Sequence, residues 1–181
     1  MRNILRKPGT YAGKGINAVT NSFCIISLCF FVLSGCAITP EFDLKGVDKV
    51  VTPKHAAEQM KSLQGQKVLW GGLIVNSSNT SQGTQFEILA YPLDNHYKPQ
   101  TDQVTLGRFI ANSSQYLETL DYAQGRLLSV IGTLKETKAG KIGDAEYIYP
   151  VVTIEQHHLW KTQSEQSMEP TVHFGVGVIF H

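Results

Sequence analysis

The chain is divided before any fold can be considered. Arg2, Arg6, Lys7 and Lys14 make a basic start with no acidic residue before Glu41, and an eleven-residue apolar run, Phe23 to Leu33, follows. A spanning helix needs about 20 apolar residues, so this run is too short to be a permanent membrane anchor. Its length and flanks are those of an export signal that is removed. The chain left to fold is then 36–181, enough for one domain that buries roughly 70% of its extended surface.

Leu33-Ser34-Gly35-Cys36 ends the leader and resembles the lipobox of bacterial lipoproteins. Small residues at 34 and 35 suit a narrow protease cleft, and only a thiol can take a diacylglyceryl group as a thioether. Cys36 is therefore the expected lipidation site, with residues 36–52 as a lipidated tether. Two or more acyl chains, at about 0.8 kcal/mol per buried methylene, make such anchoring stable. Ala37 stands where an inner-membrane retention signal would carry aspartate, which points to the outer membrane. An ordinary signal peptide with a chance cysteine, or a short buried helix, is the plainer alternative.

Cleavage changes what the composition means. The leader takes away four basic residues and no acidic one, moving the formal net charge from +1 to −3. A slightly acidic domain lacks the electrostatic footprint of a nucleic-acid binder. Cys24 and Cys29 leave with the leader and Cys36 is acylated, so no disulfide is expected even in an oxidising compartment.

A short helix is expected from Pro53, capped by Thr52 and stopped by Gly65, with Ala56, Met60 and Leu63 on one face. Beyond it the pattern is β. Val68 to Val75 is apolar on both faces and holds Gly71-Gly72, a pair that suggests a bend or a close backbone approach. Asn76 to Gln85 reads as a polar loop, followed by strands at Phe86–Tyr91, Gly107–Ala111, Arg126–Glu136 and Glu146–Trp160, the last interrupted by Pro150. Gln115 to Tyr122 suggests a brief helical turn, and Ala139 to Gly143 a hairpin loop. The expected body, 53–161, is mainly β: a small OB-like barrel of five or six strands with one short N-terminal helix. A β-sandwich is the alternative.

Residues 162–181 form a polar linker and a C-terminal strand. From Val172 to His181 the even positions are Val or Phe and the odd ones Gly, His or Ile, a period of two. The plainer reading packs this strand on its own sheet. The sharper one donates it to a partner, with Phe174 and Val176 in contact.

Chemistry-bearing patterns are sparse. Histidines 55, 96, 157, 158, 173 and 181 have no metal spacing, and His157 and His158 should face opposite ways on a strand. Glu87, Asp94, Asp121 and Glu146 would serve acid–base work only if the fold brought two together. No nucleophile elbow or phosphate loop is present. The reading is therefore a protein that is not an enzyme, with no metal and no cofactor beyond the acyl chains on Cys36. Arg108 and Arg126 each follow a glycine and could fork a carboxylate or phosphate; the plainer reading pairs them with Glu87 or Asp121. Trp70, Tyr91, Tyr147, Tyr149 and Trp160 could stack a base or sugar on an OB-like face, or simply fill the core.

Taken in order, these residues resemble the Slp family, the starvation-inducible type of outer-membrane lipoprotein. The resemblance runs from Leu33 to Trp160. It is carried by the lipobox, Leu69-Trp70-Gly71-Gly72, Tyr91-Pro92-Leu93, Gly107-Arg108-Phe109, Asp121-Tyr122 and Gly125-Arg126. Gly132, Lys141-Ile142-Gly143, Tyr147, Tyr149-Pro150-Val151 and Trp160 continue it. Leu117-Glu118-Thr119 departs in lacking a proline, and the tail from 161 is least like the family. The resemblance implies an envelope lipoprotein linked to stress or stationary phase, without established enzyme chemistry. The tether and tail, read beside it, suggest action through another envelope protein, and the aromatic face with Arg108 or Arg126 suggests, as the alternative, a small-ligand-binding OB-like periplasmic domain.

Overall fold

The computed structural model describes residues 40–162 and Glu165, so Cys36, Phe174 and Val176 lie outside the described residues. In chain order the elements are β1 (Val47–Asp48), α1 (Pro53–Leu63), β2 (Lys67–Thr80), β3 (Gly83–Ala90), β4 (Gly107–Ser113), β5 (Leu127–Ile142) and β6 (Ala145–Leu159).

Helix α1 forms where the sequence signals it. The Thr52 hydroxyl accepts the His55 N–H at 3.2 Å, and Pro53 opens the first turn. Gly65, at φ +87°, ends it and donates its N–H to the Leu134 carbonyl. Ala56 and Leu63 are buried and Met60 packs beside them.

The strands close on themselves. Their order is β1-β2-β3-β4-β6-β5, and β5 pairs again with β2. The ring β2-β3-β4-β6-β5 is antiparallel at every junction except β4–β6, which is parallel over Ile110–Asn112 and Val151–Thr153. The chain is thus mainly β, with an OB-like ring of ladders and one helix. β2 serves both of its neighbours by changing partners, pairing β5 through 67–73 and β3 through 72–80. Gly72 sits at the crossover, where a Cβ would lie 1.9 Å from the Leu89 carbonyl oxygen, so only glycine fits without moving backbone.

Alternate residues point into the ring. Val68, Trp70, Ile74, Phe86, Ile88, Phe109, Leu128, Val130, Leu134 and Val152 form one core, to which α1 contributes Ala56 and Leu63. Each fully buried aliphatic or Phe side chain contributes about 1.5–3 kcal/mol relative to exposure. Leu117 and Tyr122, from the loop before β5, also pack against it.

Three expectations are corrected by the ladders. Asn76–Thr80 and Gly83–Gln85 are strand, because the β2–β3 hairpin runs on beyond the core, where polar side chains meet solvent. The β5–β6 hairpin likewise continues to Ile142 and Ala145 through the stretch expected as a loop. Pro150 does not interrupt β6, since it faces Thr137 just before the parallel pairing with β4 begins at Val151.

The outward side is covered too. Leu69 and Ile131 are cross-strand partners facing away from the core, yet 5% and 1% exposed. The segment before α1 is tied down here: the Asp43 N–H donates to Gln156 Oε1 at 3.0 Å and Val47–Asp48 pair with the edge of β2 at Lys67–Val68, while Val51 packs against the core. Loop residues 91–100 fold over the next stretch, where the Ser129 hydroxyl donates to the Tyr97 carbonyl at 2.6 Å.

Candidate functional site

Arg108 faces outward from β4 because its neighbour Phe109 is fully buried. Its Nη1 donates to Glu87 Oε1 on β3 at 2.7 Å, and its backbone N–H donates to the Tyr147 hydroxyl at 2.8 Å. The Tyr149 hydroxyl lies 3.1 Å from the same Glu87 oxygen, and the Tyr147 and Tyr149 rings meet edge to face at 4.7 Å. Burial raises the Tyr149 pKa, and the Glu87 charge adds to this, so the phenol stays protonated and can donate. Beside it the β5–β6 arm closes a cavity of about 200 Å³ lined by Asn76, Gln85, Glu87, Lys138, Lys141 and Tyr149.

Arg126 is built differently. Gly125, at φ +90°, turns the chain into β5, and the guanidinium grips a carboxylate from beyond the body. Nη1 and Nη2 meet Glu165 Oε1 and Oε2 at 3.2 and 3.1 Å, and Nη2 also donates to the Trp160 carbonyl at 3.1 Å. Its Nε is buried, with no hydrogen-bond partner among the described residues. The Thr162 N–H, then its hydroxyl and Arg126, hold the Glu165 carboxyl below the usual range. Trp160 Nε1 donates to the Ser129 hydroxyl at 2.9 Å, and Lys98 Nζ stands 5.7 Å from the Trp160 ring. Arg126, Trp160, Thr162 and Lys98 border a cavity of about 440 Å³.

Of the two expected pairings, Arg108–Glu87 is present, whereas the partner of Arg126 is Glu165 rather than Asp121. No sequence pattern marks Glu165, which lies 39 positions away in a polar linker. Ser129 did carry a signal, as the one polar residue in Leu127–Gly132.

The aromatic residues do not share one face. Trp70 is 4% exposed, donates Nε1 to the Val51 carbonyl at 2.7 Å and meets Phe109 edge to face at 5.0 Å. With Tyr91 it lines a separate cavity of about 390 Å³ near the start of α1. Tyr147 and Tyr149 belong to the Arg108 cluster, and Trp160 to that of Arg126.

The four carboxylates are dispersed as well. Glu87 serves Arg108, Asp94 accepts the N–H groups of His96 and Lys98, Asp121 lies in a turn, and Glu146 opens β6 opposite Lys141. Among the described residues no three His, Cys, Asp or Glu side chains could hold a metal ion. His157 and His158 diverge: His157 Nε2 lies 2.8 Å from the Tyr122 hydroxyl, while the His158 ring meets Trp160 at 4.5 Å. Burial lowers both pKa values, and for His157 the neighbouring His158 adds to it.

Comparison with known proteins gives this geometry a family. The model of the Outer membrane lipoprotein Slp family matches residues 33–178, so the likeness reaches into the tail, further than the Trp160 limit read from the sequence. The uncharacterized lipoprotein YeaY of Escherichia coli (strain K12) is 29% identical over 143 residues, covering 77% of this chain and 72% of the relative. An uncharacterized protein of Haemophilus influenzae is 31% identical over 139 residues, covering 74% and 73%. The outer membrane protein Slp of E. coli is 28% identical over 145 residues, covering 78% and 76%. Among solved structures, the mitochondrial single-stranded DNA binding protein Rim1 of S. cerevisiae gives a TM-score of 0.35 at 13% identity, covering 54% of this chain and 97% of that one. A likeness of that size carries no argument. No helix among the described residues is long and apolar enough to cross a membrane. The chain belongs to the Slp family of outer membrane lipoproteins.

Proposed function

We propose that this lipoprotein is held at the outer membrane by acyl chains on Cys36 and acts without catalysis. Its role is envelope maintenance under stress or in stationary phase, through contact with another envelope protein. The observation that carries the reading is the extent of the family match, from the lipobox at Leu33 to position 178. It takes in the alternating tail as well as the body. The commitment of Arg108 to Glu87 and of Arg126 to Glu165 supports fastening roles over acid–base chemistry.

The test is photo-crosslinking in cells from Phe174 and Val176, with the anchor intact. A discrete adduct to one envelope protein is the expected result and names the partner. Adducts only within the chain, or none, would reject the interaction role and leave the tail as part of its own fold.

A second reading, a small anionic ligand at Arg126, is favoured by the buried Nε, which has no hydrogen-bond partner among the described residues, and by the adjoining cavity. It is supported if Arg126→Gln keeps the stability of the wild type but loses a carboxylate-induced thermal shift. An effect on stability alone rejects it.

A further inference from the structure

The anchor end of the domain is built onto the body instead of strung out from it. Phe42 meets Tyr97 edge to face at 5.9 Å, and the Asp43–Gln156 bond and the β1–β2 pairing follow within a few residues. The chain is thus fixed to the 91–100 loop, to β6 and to the edge of β2 from Phe42 onward. Five residues lie between Cys36 and Phe42, which makes six Cα-to-Cα steps. At 3.3–3.6 Å per residue they reach at most about 22 Å in any conformation. A body of this size has a radius of gyration near 14 Å and so a diameter well above that reach. A membrane holding the acyl chains can therefore meet only the side on which Phe42 lies.

What that side presents fits a lipid surface. Val50 is 87% exposed, and Asp48 Oδ1 fixes its direction by accepting the Val50 and Val51 N–H groups at 2.7 and 3.0 Å. Lys45 and Lys49 are exposed, and Lys49 Nζ stands 5.3 Å over the Tyr97 ring. Three acidic neighbours each keep one oxygen on backbone N–H groups while retaining their charge: Asp43, itself exposed, accepts the Lys45 N–H, Asp48 those of Val50 and Val51, and Asp94 those of His96 and Lys98. With exposed Glu41 as a fourth carboxylate the acidic residues offset Lys45, Lys49 and Lys98, so apolar contact by Val50 dominates and the two exposed lysines act only locally.

We infer that residues 42–50 with 94–98 form a seating face for the phospholipid headgroups of the anchoring leaflet. Val50 inserts among the headgroups, and Lys45 and Lys49 meet lipid phosphates. The body is held in one orientation, with the β4–β5 loop turned away. This rests on lipidation of Cys36.

The test uses the full lipidated protein, purified from membranes and reconstituted into vesicles of phosphatidylethanolamine and phosphatidylglycerol. Val50→Cys and, as the reference, Leu120→Cys each carry a spin label. Leu120 is 82% exposed on the loop that enters β5 at Leu127, at the far end of the β2–β5 ladder from Val47–Asp48. Accessibility to oxygen, which partitions into lipid, is compared with that to a water-soluble nickel chelate. The oxygen-to-nickel ratio is expected to be several-fold higher at 50 than at 120. Protein that floats with the vesicles but gives equal, water-like ratios overturns the seating face alone. Protein that fails to float overturns both the anchor and the inference built on it.

Discussion

The inside of the ring and its outer side are assembled by different rules. Inside, Trp70, Phe86, Phe109 and their neighbours are apolar residues at alternate positions on successive strands, held mainly by packing, with Trp70 Nε1 also bonded to the Val51 carbonyl. Outside, the contacts are isolated polar links between residues far apart in sequence: Asp43 with Gln156, Ser129 with Tyr97, and the two-bond pair of Arg126 with Glu165. The interior sets whether the chain folds, because close-packed side chains lose stability with each deleted methylene. The outer side sets what the fold holds in place, namely the anchor segment, the 91–100 loop and the start of the tail. Substitutions on the two sides should separate accordingly.

The largest effect is expected at Gly72, where a side chain would strike the backbone of Leu89. Gly72→Val should cost more than the ~1–3 kcal/mol of ordinary overpacking, and circular dichroism should show no cooperative transition. Phe109→Ala removes a fully buried ring and its contact with Trp70, so a loss of about 3–5 kcal/mol in denaturant unfolding is expected. On the outer side Glu87→Ala takes the partner from a partly exposed Arg108. About 1–2 kcal/mol is expected, less than for a buried pair because solvent reaches the guanidinium. If Glu87→Ala proved as damaging as Phe109→Ala, the division between the two sides would fail.

The histidines give a pH test. Burial lowers the pKa of His157 and His158, so the unfolded chain binds more protons than the folded one below the ordinary histidine value of about 6.5. Stability should be full above that value and fall as the pH drops towards the lowered pKa values, then level off with respect to these groups. Thermal midpoints across that window should show the fall, and His157→Gln should reduce it. The smallest effect belongs to the Lys67–Glu155 pair on the surface. Lys67→Met should leave stability almost unchanged, and high salt should remove any difference from wild type.

The same division decides what could be read from the sequence. The ring was legible because period-two burial writes itself into alternation, and because the Gly71-Gly72 pair marks where β2 must bend. The hairpin extensions were not, since Asn76–Thr80 and Lys138–Ile142 bury little and leave no apolar period. Arg108 with Glu87 could be anticipated because both sit on strands expected to lie in one sheet. Glu165 could not, because nothing in a polar linker marks which acidic residue an arginine will grip. The docking of residues 42–51 was equally hidden: it depends on backbone groups of Asp43 and Val47–Asp48, and on an outward-facing Leu69 that reads like core.

Placement of this protein at the outer membrane depends most on the acyl anchor at Cys36. The decisive measurement is the intact mass of the N-terminal peptide of protein isolated from outer membranes. The expected peptide begins at Cys36 and carries acyl chains on the sulfur and the amino group. A peptide beginning elsewhere, or an unmodified Cys36, would contradict the account.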